Sequence, residues 1–227
     1  GVLKRFEKLI RHIYLAHTLR MIRQEHKESS LKILNELAII INGPLAIMGT
    51  AAWVHGSLMK IINEINIDLR QKGYQDFLLI GVVNGGEAIC SYAQLIKKHL
   101  SSDMLLCVSD EFRDKYININ REASSTTFGA ETYYGQDFIW MNKSNDVVVF
   151  DLPYFTGEKS NKDDFKIIKS DYTRYNNLMR ALRLLKEMKS DMEESSVMPL
   201  VISKQYTAIS MEPGAKVLDM LSKNSII

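Results

Sequence analysis

Apolar and aromatic side chains recur along the first 26 positions at intervals of three and four: Leu3, Phe6, Ile10, Ile13, Tyr14, His17 and Met21. That period predicts an α-helix of about seven turns from Val2 to about His26, with this stripe as its packing face. A second helical pattern, Leu31, Leu34 and Leu37 with Ile33 beside them, runs into Ala38-Ile39-Ile40-Ile41, where β-branched residues predict a change to buried strand. The run stops at Asn42-Gly43-Pro44, turn residues that set one polar side chain at the C-terminal edge of the strand. Helix returns from Ser57 to about Lys72, on Leu58, Ile61, Ile62, Ile65 and Leu69, and Gly73 closes it. Phe77 to Val83 predicts a second buried strand, Glu87 to Leu100 a further helix, and Met104 to Val108 is again apolar. Phe138 to Met141 and Val147 to Leu152, joined by Asn142-Lys143-Ser144-Asn145-Asp146, predict a hairpin. Asn176 to Lys189 is an amphipathic helix, Pro199 to Ile202 a short apolar segment and Ala215 to Leu221 a last helix, while the polar stretch Thr156 to Asp164 reads as a surface loop. Crossovers and a hairpin together predict an α/β protein with a mixed sheet.

Composition narrows the class. The 227 residues, 46% hydrophobic and 25% charged, suit one domain spanning positions 1–227, with no internal repeat or linker. A net charge of +2 argues against a binder that grips nucleic acid by bulk charge, and leaves room for a local basic groove. Cys90 and Cys107 share no C-x-x-C spacing and predict buried thiols in a reducing compartment. No apolar run approaches the roughly 18 to 20 residues of a membrane span, and the start Gly-Val-Leu-Lys-Arg-Phe-Glu lacks a signal peptide's apolar centre. A cytoplasmic protein without membrane contact is expected. Because the chain opens without Met, part of the domain is expected upstream of residue 1.

Several chemistries are disfavoured. Gly81-Val82-Val83-Asn84-Gly85-Gly86 joins a strand to a helix, but it lacks both the dinucleotide-binding order and the Lys-Ser/Thr of a phosphate loop. The five histidines show no zinc spacing, and no serine nucleophile elbow occurs. Carboxylates remain, since two-metal phosphodiester cleavage gathers acidic oxygens about 3.5 to 4 Å apart around the ions. Glu25, near the end of the first helix, and an acid at position 42 would suit, but position 42 is Asn. Against these roles stand plainer ones, a solvated helix residue for Glu25 and a tight turn for Asn42-Gly43.

Read together, Arg23-Gln24-Glu25, Ile39 to Ala46, Leu79 to Asn84, Leu106 to Asp110, Glu131 to Phe138, Pro199 to Lys204 and Tyr206 to Ser210 resemble, in order and spacing, the NurA nuclease domain, the DNA-end-processing partner of the HerA hexameric ATPase. The resemblance implies a ribonuclease-H-like mixed β-sheet flanked by helices and a Mn²⁺ (or Mg²⁺) site. Carried over, Glu25 matches the family's helical Glu, and Asn42 stands where a strand-end Asp is expected. The family's early Asp-Gly strand has no counterpart and is expected upstream of Gly1. Asn84 and Lys204 stand where relatives carry Lys and His.

The implied catalytic set is Glu25, Asn42 and Lys204, with Glu25 and Asn42 as metal ligands, Lys204 as a point charge on the scissile phosphate, and Asn84, Arg113 and Lys115 on DNA. Asp110 and Glu131 are reserve carboxylates. The implied function is metal-dependent DNA cleavage with a HerA-type ATPase, in DNA repair or antiviral defence, by a homodimer. The alternative is a degenerate subunit that binds ATPase and DNA without cutting, since an amide is a poorer ligand for a hard cation than a carboxylate. A basic DNA-binding module without an ATPase is disfavoured by the small net charge.

Overall fold

The computed structural model describes residues 2–25, 27–47, 51–84, 87–117, 133–155, 165, 167–190 and 196–206. In chain order these form α1 (Val2–Glu25), α2 (Lys27–Glu36), β1 (Ala38–Asn42), α3 (Val54–Gln71), β2 (Leu78–Val83), α4 (Ala88–Ile96) and β3 (Leu105–Cys107). A short α5 (Asp110–Phe112) running into a π turn, Arg113–Ile117, precedes β4 (Gly135–Met141), β5 (Val147–Pro153) and α6 (Leu178–Glu187). A last described helix, α7, covers residues 198–206.

One five-stranded sheet has the order β1-β2-β5-β4-β3. β1 and β2 run parallel through the α3 crossover, while β5, β4 and β3 are antiparallel to their neighbours. The fold is α/β, a mixed sheet flanked by helices and compatible with a ribonuclease-H-like arrangement. Strand alternation divides the interior. Ile41 and Leu79 face a cluster built by α1, α2 and α3, whereas Val83, Ile139 and Val149 on the same face meet α4. Ile80, Val82, Phe138 and Phe150 point the other way, onto α6 and α7. The hairpin forms as expected, with Asn142 Oδ1 accepting from Asp146 N–H at 2.9 Å to close its turn. Among the described residues no helix is long and apolar enough to cross a membrane.

Four expectations from the sequence differ from the fold or lie outside the described residues. The packing face of α1 is not the stripe through Phe6, Ile10, Ile13, Tyr14 and Met21, all of which are exposed; Leu15 and Leu19 are buried, with His12 beside them and Leu9, Ala16 and Ile22 partly covered. The helix is apolar on two opposite sides, and the chosen side also satisfies its one polar member: His12 Nδ1 and the Tyr134 hydroxyl share a hydrogen bond of 2.7 Å. Pro199 to Ile202 lies within α7 rather than forming a separate segment. The loop Thr156 to Asp164 and the helix Ala215 to Leu221 fall outside the described residues.

Candidate functional site

The segment after β1 shapes the most unusual part of the molecule. Asn42 ends the strand, Gly43 takes φ +120°, a left-handed value that favours glycine, and its N–H donates to Val82 C=O at 2.8 Å. Pro44 and Leu45 then cross the sheet face. Leu45 C=O accepts from Tyr134 N–H at 2.9 Å, and its side chain is fully buried over two glycines. A Cβ on Gly81 would lie 2.8 Å from the Gly43 carbonyl oxygen, and one on Gly135 would lie 2.6 Å from Leu45 Cβ. Gly81 is therefore a close-approach residue inside β2, not the start of a phosphate-binding turn; Gly85 and Gly86 lie outside the described residues.

At the end of β1, Asn84 Nδ2 donates to Asn42 Oδ1 at 3.2 Å, and the Asn84 Oδ1 acceptor is buried without a partner. Arg11 Nη1, reaching from α1, donates to the Asn42 carbonyl at 2.6 Å and also pairs with Glu7. Asn42 and Arg11 line a groove of about 840 Å³ together with Ser203 and Lys204 of α7. Nearby, Lys8 Nζ bonds Glu87 at 2.7 Å. The structure thus brings Asn42, Asn84 and Lys204 to one end of the sheet.

Glu25 is elsewhere. It lies 14 residues beyond Arg11 on α1, about 21 Å along the axis at 1.5 Å per residue. Arg23, two residues before it, pairs with Glu64 at 2.5 Å and Asp68 at 2.8 Å, near the end of α3 that leads into the start of β2. Glu25 therefore belongs to the strand-start end and Asn42 to the strand-finish end. Mn²⁺ or Mg²⁺ takes oxygen ligands, carboxylates foremost, and these residues do not fit such an ion: one is a neutral amide engaged by a second amide, and the other is at the far end of the sheet. Among the described residues no three His, Cys, Asp or Glu side chains group as a metal-binding set.

Of the other expected contacts, Arg113 turns inward. Its guanidinium pairs with Asp137 and lies 4.6 Å from the centroid of the Tyr133 ring, leaving little of it for DNA. Lys115 is exposed on the π turn, 5.2 Å from the Tyr116 ring. Asp110 is held by the buried Lys169, and Glu131 lies outside the described residues.

The most perturbed carboxylate is one that pattern reading passes over. Asp151 on β5 is fully buried and stands opposite Asp137 of β4 on the same sheet face. Leu45 N–H donates to its Oδ2 at 2.8 Å, whereas Oδ1 has no partner. Burial pushes its carboxyl up to about 7, against the lowering effects of the Leu45 amide and the Arg113 charge. The available signal was an acid inside the otherwise apolar run Val147 to Leu152. His12 is shifted the other way, to about 4, because burial and the Arg11 charge disfavour its cation. Both cysteines are half-buried rather than buried as expected, and that partial burial, foremost among the causes, pushes each thiol up to about 12.

Compared with known proteins, the chain matches no family model, no curated protein and no solved structure.

Proposed function

We propose that this chain is a NurA-type subunit that binds DNA through the strand-finish end of β1 and β2 and does not cut it with a metal centre built on Glu25 and Asn42. One observation carries the reading: the position at which a metal would need a carboxylate holds an amide, already bonded to the amide of Asn84 at 3.2 Å. Amides offer both a donor and an acceptor, and they contact phosphates and base edges as neutral groups. Arg11 and Lys204, which share the groove with Asn42, supply positive charge beside them. The resemblance in motif order supports a HerA-type hexameric ATPase as the partner and a two-fold homodimer as the working form.

End-labelled duplex DNA incubated with Mn²⁺ or Mg²⁺ tests the reading. The wild-type chain is expected to retain DNA and release no nucleotides, and Asn42→Asp alone is expected to leave it inactive, because Glu25 remains at the opposite end. Metal-dependent cleavage by the wild type that Asn42→Ala abolishes would overturn the proposal and make the chain a nuclease.

A further inference from the structure

The groove beside Asn42 runs along the free edge of the sheet. β1 pairs only with β2 among the described residues. In a parallel ladder the residues of a strand alternate in the edge they serve. Gly43 N–H bonds Val82 C=O on the inner edge, so Ile39 and Ile41 also serve β2, while Ala38, Ile40 and Asn42 direct their backbone groups outward. Arg11 takes the outward carbonyl of Asn42; among the described residues nothing meets the N–H and C=O of Ile40.

An edge of three consecutive isoleucines, without a charge, proline or bulge, is what folded proteins ordinarily cover. From these features we infer that the slot over β1 is a docking site for an extended peptide strand of a partner, which adds to the sheet beside Ile40. Floor and walls agree with one strand and no more. α1 contributes Tyr14, Leu15 and Thr18 on one sheet face and α7 contributes Leu200 and Ser203 on the other, so β1 lies recessed between them. A second copy would present an equally recessed edge, and two recessed edges do not meet. The isoleucine floor and the Tyr14, Leu15 and Leu200 walls suit β-branched side chains. The charged lining residues Arg11, Lys204 and Glu7 sum to one positive charge, which favours a strand carrying acidic residues. This inference does not rest on the DNA reading, and because both draw on Arg11 and Lys204 of one groove, a docked strand and DNA compete for it.

The probe is a capped Glu-Val-Thr-Val-Glu-Val peptide, and the readout is amide hydrogen exchange at Ile40 and Asn42 in the whole chain. At a peptide concentration of ten times its Kd, exchange at the outward amides is expected to slow about tenfold, with no slowing from the same peptide carrying Pro at its central Val. Ile40→Pro removes an outward N–H and no bond to β2, and Thr18→Trp fills the slot from the α1 wall; each is expected to weaken the peptide at least tenfold. If Ile40→Pro does not fold, Thr18→Trp alone decides. Absence of slowing, equal slowing by the proline peptide, or an Ile40 amide already protected in a peptide-free dimer would overturn the inference. DNA retention is read separately, so its loss leaves this result standing.

Discussion

Replacing Asp151 with Asn tests the charge balance beneath Leu45. The carboxyl is fully buried, one oxygen is held by the Leu45 amide and the other has no partner, so ionisation in the folded chain is opposed and its value rises to about 7 from an ordinary 3.8. A carboxyl raised in this way contributes stability that is fully present below the unfolded value and is lost as pH rises through the folded one. Between pH 5 and pH 8 the unfolded chain is ionised throughout while the folded chain releases its proton, at a cost of about 1.4 kcal/mol per pH unit up to the folded value. The wild type should therefore lose about 3 kcal/mol of stability over this window on account of Asp151. Asp151→Asn removes that loss. Its amide keeps the Leu45 bond and sets an NH₂ where the partnerless oxygen stood, a change that costs about 1–3 kcal/mol at either pH. Urea unfolding of both proteins at pH 5 and pH 8 isolates the effect, because His12 and the other titrating groups cancel in the difference. The mutant should gain about 3 kcal/mol relative to wild type from pH 5 to pH 8. A difference below about 1 kcal/mol would mean that Asp151 ionises alike in both states, and the account of its burial would fail.

Gly81→Ala places a Cβ 2.8 Å from the Gly43 carbonyl oxygen and 2.9 Å from Leu45 Cγ. Overpacking of this kind costs about 2 kcal/mol, so Tm should fall by roughly 4 to 8 °C; an unchanged Tm would show that the 43–45 crossing yields freely. Tyr134→Phe removes the hydroxyl bonded to buried His12, at a cost of about 1–3 kcal/mol in thermal or urea unfolding; a neutral result would mean that His12 finds another partner. At pH 8, thiols pushed up to about 12 form about a thousandfold less thiolate, partly offset by its greater nucleophilicity, so they should react with a disulfide reagent about thirtyfold more slowly than after unfolding; comparable rates would place the cysteines in open solvent.

Elements with a strong local period were legible in the sequence. α3, β2 and the β4–β5 hairpin follow from Leu58 to Leu69, from Phe77 to Val83, and from a turn-rich pentapeptide between two apolar runs. The packing side of α1 was not, because periodicity reports that a face is apolar but not which of two apolar faces finds a partner. The candidate site was half legible. Asn42 was placed correctly at a strand end by its turn residues, and Lys204 and Asn84 join it, but the link to Glu25 needed the length and direction of α1, which spacing along the chain does not carry. Arg113 looked like a surface cation until the fold set Asp137 against it. Asp151 was hidden by its own apolar neighbours, and Gly81 and Gly135 gained meaning only once Leu45 was seen to cross between the strands.

The central claim is that Asn42 and Asn84 form a neutral, metal-independent contact to DNA. Fluorescence anisotropy of a labelled duplex, titrated with the wild type and with Asn42→Ala/Asn84→Ala in EDTA and again in Mn²⁺, tests it most directly. The account predicts equal wild-type affinity in the two buffers and a loss of about tenfold in the double mutant, which is about 1.4 kcal/mol for removing two neutral amides. Binding that requires Mn²⁺, or a double mutant that binds as tightly as the wild type, would contradict it.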